Sequence, residues 1–482
     1  MLLKVAHGFT LSASSMVTAI FLISLCEPTL KGQSEGSDRQ PNIIFIMADD
    51  LGWGDLGSYG QKRIRTPHLD RMAAEGMRFT QVYAGSTVCA PSRSVLMTGL
   101  HTGHTRVRGN ARVPLQPGDR ILPEFLKTRG YQTALMGKWG LGEPGTTGAP
   151  NRKGFDHFFG YLNQRHAHNY YPSHLWKGEQ KVSLDNIVPN EDGTGAGIST
   201  NKLTYSHDLI FQEAMQFVKA HTGQPFFLYL PLTIPHANNE GTRGTGDGQD
   251  VPDYGVYTEK KWANPNKGQA AMITRMDADI GRLMARLNQY KLTENTLVVF
   301  SSDNGHHREG GNDPDFFDAN GPLRGMKRDL YEGGIRVPTI AHWPGHIKPD
   351  SASDHPAYFG DLMATAAELL GVTAPGKLDS ISILPTLLGQ TDKQLKREFL
   401  YWEFLERRGA QAVVLGETGR WKALRKQSAT APIEIYDLDN DLGETKDIAA
   451  DHPELVARAE ELFKEQHVPN PLWNAPFKPR KR

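Results

Sequence analysis

Asn42-Ile43-Ile44-Phe45-Ile46-Met47-Ala48, closed by Asp49-Asp50, is the stretch from which the fold is read. It carries no charge until the paired aspartates, and its apolar residues run on continuously instead of alternating. Such a run suits a strand covered on both faces, as in a mostly parallel sheet. Two more runs share that character: Pro225-Phe226-Phe227-Leu228-Tyr229-Leu230-Pro231-Leu232 and Thr296-Leu297-Val298-Val299-Phe300-Ser301. Helical signals lie between them. Thr66-Pro67 opens one helix and Gly76 ends it, with proline first and glycine last. Met272, Met276, Ile280, Leu283 and Leu287 recur at spacings of three and four, which predicts a helix with one buried stripe. Asp361 is expected to cap a helix running through Leu362 to Leu370 and stopping at Gly371. Strands alternating with helices give an α/β fold, a large mixed and mostly parallel sheet sandwiched by helices.

After about Gly389 the pattern changes to short strand-like pieces, Glu398–Trp402, Ala412–Leu415, Trp421–Leu424 and Ile433–Tyr436, followed by a helix from Pro453 to about Glu465. This predicts a smaller C-terminal α+β subdomain with an antiparallel sheet and one helix. The expected division is residues 1–33 as a signal peptide, 40–389 as the main domain, 390–470 as the subdomain and 471–482 as a basic tail. Two glycine-rich stretches, Asn190–Thr200 and Asn239–Asp250, are expected to be long loops, either functional rims or insertions.

Charge excludes some partners. The 54 basic and 54 acidic residues balance, so no broad basic face is available for nucleic acid or an anionic membrane. Lys4 and His7 precede an apolar run, Phe9–Leu25, and a polar stretch follows; this is the layout of a secretory signal, with an uncleaved anchor as its rival. Cys26 raises lipoprotein anchoring as a minor alternative, against which the bulky Leu25 counts. No other stretch is long enough to span a bilayer. Without the signal a single cysteine, Cys89, remains, and the chain has no Asn-x-Ser/Thr acceptor. The expectation is an exported protein, periplasmic or extracellular and bacterial, whose lone thiol needs an explanation.

The ends of the three strands carry the chemistry. The first leads into Asp49-Asp50, the second within a few residues to His236, and the third into Asp303-Asn304. In open α/β sheets, sites form beyond the carboxyl ends of the strands, so these residues should converge. Three carboxylates and an amide carbonyl form an all-oxygen set suited to calcium or magnesium and not to zinc. Taken singly, Asp-Asp and Asp-Asn-Gly are equally compatible with caps or turns. The remaining segment is Cys89-Ala90-Pro91-Ser92-Arg93-Ser94-Val95-Leu96-Met97-Thr98-Gly99. Pro91 is placed to open a helix with Cys89 at its amino end, where backbone N–H groups attract anions.

Cys-x-Pro-Ser-Arg followed by Met-Thr-Gly resembles the signature of type I, formylglycine-dependent sulfatases of the alkaline phosphatase superfamily. Gly130–Trp139 is similar to the family's second signature. Pro235-His236, Asp303-Asn304-Gly305, Gly325-Met326-Lys327 and Tyr331-Glu332-Gly333-Gly334 follow in the family's order, and the resemblance spans roughly residues 42 to 465. It implies that a maturation enzyme oxidises Cys89 to formylglycine (3-oxoalanine). It implies that Asp49, Asp50, Asp303 and Asn304 bind one Ca2+ together with an oxygen of the modified Cys89. Arg93 would orient that residue, Lys138 and Lys327 would clamp the sulfate, and His236 would sit beside the leaving oxygen. An aldehyde hydrate has two hydroxyls, so one can attack sulfur while the other later expels sulfate. His236 or Lys327 would protonate the leaving alkoxide.

The expected reaction is hydrolysis of sulfate esters, of a sulfated carbohydrate in nature and of aryl sulfates as artificial substrates. A phosphoester hydrolase on the same fold and a non-catalytic binder of sulfated glycans are the rival readings. One departure matters. After Lys138-Trp139 the family usually has a histidine that assists elimination of sulfate, and here Gly140 stands in its place. His101, His104, His307 and water are the substitutes open at this point. His166, His168 and His174, among Tyr170, Tyr171 and Trp176, are either a substrate wall or ordinary packing.

Overall fold

The computed structural model describes residues 39–477, so the expected signal segment with Cys26, and the end of the basic tail, lie outside the described residues. The apolar run of the first strand forms β1 (Asn42–Ala48) over the length its pattern predicts. The main sheet continues in chain order with β2 (Met77–Phe79), β3 (Gln132–Lys138), β4 (His157–Tyr161), β5 (His174–Lys177) and β6 (Gln180–Ser183). It is completed by β7 (Phe226–Pro231), β8 (Thr296–Ser302), β9 (Thr339–His342) and β10 (Ser351–Ser353). These ten strands lie in the order β10-β2-β9-β8-β1-β7-β3-β4-β5-β6. The central run β8-β1-β7-β3-β4 is parallel throughout, and antiparallel pairs flank it.

Alternate residues of β1 feed two separate cores, which is why its apolar run is unbroken. Ile44, Ile46 and Ala48 pack on one face among residues of α1 (Pro67–Ala74), α3 (Ser206–Ala220) and α5 (Asn264–Gln289); Ile43, Phe45 and Met47 pack on the other with α2 (Cys89–Thr98) and α7 (Asp361–Leu369). The predicted stripe of Met272, Met276, Ile280, Leu283 and Leu287 is buried along α5. The C-terminal region forms an antiparallel sheet of β11 (Phe399–Phe404), β12 (Ala410–Leu415), β13 (Trp421–Lys426) and β14 (Glu434–Asp437). One face, with Leu400, Trp402, Val414 and Leu424, joins the second core. The other, with Tyr401, Val413 and Ile435, is covered by α8 (Pro453–Glu465).

Three local expectations are corrected. Asp361 does not cap α7; it is the first helical residue, and its carboxylate accepts from the N–H groups of Tyr358 and Ile381 and from Arg397. Asn239–Thr245, read as loop, is a short helix, α4, because the Asn238 side chain accepts from the Gly241 N–H and caps it. Helix α2 starts at Cys89 itself, two residues before Pro91, and the proline is tolerated in a first turn whose N–H groups have no intrahelical partner.

Candidate active site

The parallel register brings the sequence-predicted residues together. Pairing of Ala48 with Ser302 sets Asp49 beside Asp303, and the Asp50 N–H donates to Asp303 Oδ1 at 3.1 Å. Cys89, at the first position of α2, lies with its Sγ 3.2 Å from Asp49 Oδ1. Arg93, one turn along α2, donates from Nη2 to Asp303 Oδ2 at 2.8 Å and to Asp49 Oδ2 at 3.3 Å. Lys138, the last residue of β3, donates from Nζ to Asp49 Oδ2 at 2.6 Å and approaches Cys89 Sγ at 3.5 Å. Lys327 donates to Asp50 Oδ2 at 2.7 Å, to Glu309 Oε2 at 3.1 Å and to His236 Nε2 at 3.1 Å. Asp49, Asp50, Cys89, Arg93, Lys138, His236, Asp303, Asn304 and Lys327 are all buried.

The hydrogen bonds fix the imidazole tautomers. His236 Nδ1 donates to the Ala237 carbonyl at 2.7 Å, so Nε2 is the acceptor facing Lys327. The Tyr170 hydroxyl lies within 2.7 Å of the Thr233 carbonyl and 2.6 Å of the His236 carbonyl and ties down this turn. His307 Nδ1 accepts from the Glu309 N–H at 2.9 Å, which leaves Nε2 protonated, 4.0 Å from Asp50 Oδ2.

Burial and charge set the protonation states. Burial opposes ionisation of Asp49 and Asp50, but Lys138 and Arg93 for the first, and Lys327 for the second, outweigh it and hold both below the usual carboxylate range. Asp303 goes the other way: burial, with Asp49 beside it, pushes it up to about 7. Burial lowers the Lys327 ammonium, yet Asp50 and Glu309 prevail and keep it protonated. Burial and then Lys327 take His236 well below its ordinary value, so it is neutral. Cys89 is raised well above the ordinary thiol value by burial, then by Asp303 and Asp49. Cysteines used as thiolate nucleophiles have depressed values in electropositive surroundings; an unmodified Cys89 does not fit that use.

The donor set fits a hard cation. Asp49, Asp50 and Asp303 crowd together, and the buried Oδ1 of Asn304 has no hydrogen-bond partner. An orphaned amide oxygen next to three carboxylates is what an oxygen-ligated divalent ion would satisfy. The glycines of this region serve close approach: a Cβ on Gly305 would meet the Gly333 carbonyl oxygen at 1.8 Å.

Gly140 is explained by its surroundings. Its φ is +81°, and a Cβ there would lie 1.8 Å from Gln164 Nε2. The Gln164 amide, buried and without hydrogen-bond partners, thus fills the place where a side chain at 140 would start. Of the substitutes open from sequence, only His307 joins the site. His101 and His104 pair instead with Asp379 and Gln466. Of the aromatic cluster, His166 packs on Tyr161 and His174 in the interior, and Tyr170 and Tyr171 are core; His168 alone stacks on a site residue, His236. Glu309, Arg328, which pairs with Glu309, and Gln164 were missed by sequence reasoning, since each is brought in by tertiary packing.

Residues 41–372 match the family described as Sulfatase, and residues 325–467 match the region described as N-sulphoglucosamine sulphohydrolase, C-terminal. N-acetylgalactosamine-6-sulfatase of Rattus norvegicus is 32% identical over 406 residues, covering 77% of this chain and 71% of that protein. N-acetylgalactosamine-6-O-sulfatase of Bacteroides thetaiotaomicron is 29% identical, covering 93% of this chain and 97% of that one. Arylsulfatase A of Homo sapiens is 32% identical, with 88% and 87% covered. Among solved structures, Ps i-CgsB in complex with k-i-k-neocarrahexaose superposes with a TM-score of 0.74 at 27% identity, over 89% of this chain and 93% of that one.

Proposed function

The chain belongs to the sulfatase family, whose members are sulfuric ester hydrolases, and from that premise we propose that it releases sulfate from a sulfated sugar, with Cys89 as its formylglycine residue. The observation that carries this reading is the position of Cys89, at the amino end of α2 between Asp49 and Lys138. Formylglycine at this position would supply a hydrated aldehyde as nucleophile in place of a disfavoured thiolate. Asp49, Asp50, Asp303 and Asn304 would hold one Ca2+, which would activate that nucleophile and polarise the sulfuryl oxygens.

The chain's own residues do the rest. Lys138 uses two of its three N–H donors on Asp49 and Cys89, which leaves one for a sulfuryl oxygen. Arg93 spans Asp49 and Asp303 and holds both carboxylates in register. Lys327 carries the proton nearest to His236 Nε2 and is the donor for the leaving alkoxide, with the neutral His236 beside it. Relatives named for N-acetylgalactosamine 6-sulfate support a sugar sulfate as substrate. Export rests on the secretory layout of residues 1–33; among the described residues no helix is long and apolar enough to cross a membrane. Residues 40–389 would form the catalytic domain and 390–470 the subdomain.

The test is the mass of the Cys89 peptide from protein co-expressed with a formylglycine-generating enzyme, together with sulfate release from N-acetylgalactosamine 6-sulfate. The expected mass loss is about 18 Da relative to the thiol. A thiol that stays unmodified beside a working maturation enzyme would overturn the catalytic reading.

A further inference from the structure

The five parallel strands at the centre of the sheet end on one side of the molecule, and four of them deliver site residues. Strand β8 leads to Asp303 and Asn304, β1 to Asp49 and Asp50, β7 to His236, and β3 ends in Lys138. The fifth, β4, runs out through Leu162 and Arg165 to His168, a residue that the reaction as described does not use. Its ring stacks on that of His236, with centroids 4.9 Å and planes 13° apart.

His168 is held from behind. Its Nδ1 lies 3.0 Å from Glu240 Oε2 on α4. Arg165 and Arg243 grip the same carboxylate at 3.3 and 2.7 Å. A neutral ring anchored in this way carries its hydrogen on Nδ1 and presents a lone pair at Nε2. His236 Nε2 is taken by Lys327, and His307 Nε2 faces the Pro235 carbonyl at 3.4 Å. Among the described residues, His168 Nε2 makes no hydrogen bond and, unlike His166 Nε2, is not a buried orphan. It therefore opens to the approach of a ligand. The His168 side chain is 13% exposed against 4% for His236, so it is the more accessible of the two stacked rings.

The charges facing this ring are Glu240 and, from the site, Lys138 and Lys327, with the neutral His236 stacked on it. Burial lowers its pKa, the Glu240 hydrogen bond offsets part of that, and Lys138 and Lys327 lower it further. At neutral pH the open nitrogen is thus an acceptor. Sulfuryl oxygens accept only and are repelled by a lone pair, so the complementary group is an O–H or amide N–H of the alcohol.

We propose that His168, with Glu240 fixing its tautomer, is a specificity-determining residue that accepts a hydrogen bond from a hydroxyl or amide N–H of a sulfated sugar. The assignment rests on the reading of this site as one that takes sugar sulfates. It explains what an aryl sulfate, which has no such donor, would lack.

The test compares matured wild-type protein with His168→Ala and Glu240→Gln. Two substrates are used: 4-nitrophenyl sulfate and N-acetylgalactosamine 6-sulfate. His168→Ala should lower kcat/KM on the sugar ~10- to 100-fold, the cost of an unmade buried hydrogen bond, and change the aryl substrate by less than ~3-fold. Glu240→Gln should show the same selectivity with a smaller loss. A second measurement needs no turnover: calorimetric binding of the sugar sulfate to unmatured Cys89 protein, with inorganic sulfate as control. His168→Ala should weaken the sugar ~10-fold and leave inorganic sulfate unchanged. Equal losses on both substrates, or an undiminished sugar, would refute the assignment. If matured wild type hydrolyses neither substrate, the sulfatase reading fails, and the binding comparison still decides the role of His168.

Discussion

Gly140 shows how one residue can be decided by its backbone and its neighbour together. Its φ of +81° is left-handed, a conformation that costs an L side chain ~1 to 2 kcal/mol, and the Gln164 amide occupies the space beyond it. Restoring the family histidine as Gly140→His should therefore destabilise the protein by more than that amount, since the Gln164 contact adds to the backbone cost, and not raise the rate of sulfate release. Adding Gln164→Gly should relieve the contact but not the backbone cost, which thermal denaturation of the two variants will separate. Asp303 is the other residue whose state follows from its setting. Its carboxyl is raised to about 7 in the fold, so the stability linked to it is present at acid pH and lost as pH rises through 7. A cation binds the ionised form. The gain in Tm from added calcium should then be small at pH 5 and larger at pH 8, and chelation should reverse it.

At the scale of elements, the C-terminal sheet is coupled to the loop that carries Lys327. Lys422 on β13 pairs with Glu332 at 2.8 Å and Glu444 at 3.0 Å, all fully buried, and Glu332 opens the short helix α6 (Glu332–Ile335) just beyond that loop. Removing one partner of a buried pair leaves an uncompensated charge, so Lys422→Ala should cost ~3 to 5 kcal/mol in denaturant unfolding. Because α6 anchors the Lys327 loop through the bond from the Gly333 N–H to the Arg324 carbonyl, activity should fall too, although residue 422 lies outside the site. Trp402 has a similar bridging place, with its indole N–H on the Ala84 carbonyl at 2.9 Å.

At the scale of the whole molecule, the two faces of the main sheet are covered differently, one by helices and the other by α2, α7 and the C-terminal sheet. Truncation after residue 389 would uncover Tyr83 and Ala84, which Trp402 of the C-terminal sheet covers in the second core. Such a fragment should be insoluble or bind a hydrophobic dye, in contrast to the full chain. The site balances four carboxylates, Asp49, Asp50, Asp303 and Glu309, against four cations, Arg93, Lys138, Lys327 and Arg328. A bound divalent ion would tip that balance positive and draw in an anionic ester, so activity should fall as ionic strength rises.

The sequence alone determined the parallel core and the convergence of Asp49, Asp50, His236 and Asp303, while Cys89 and Lys138 were placed beside them by the family resemblance. Unbroken apolar runs mark strands buried on both faces, and residues just after parallel strands have nowhere else to go. It also determined the subdomain, because short strand-like pieces followed by an amphipathic helix are read locally. Only the tertiary structure decided which histidines count. His101 and His104 are as close in sequence to Cys89 as any others, yet Asp379, far along the chain, claims them. His168 and Glu240 are separated by 72 residues and stand in no motif, and they meet because each follows the end of a parallel strand, β4 and β7, on the same side of the sheet. Gln164 fills the space beside Gly140 for the same reason. Strand patterning is a property of neighbours in sequence; the partner of a buried polar group is set by how the chain folds back on itself.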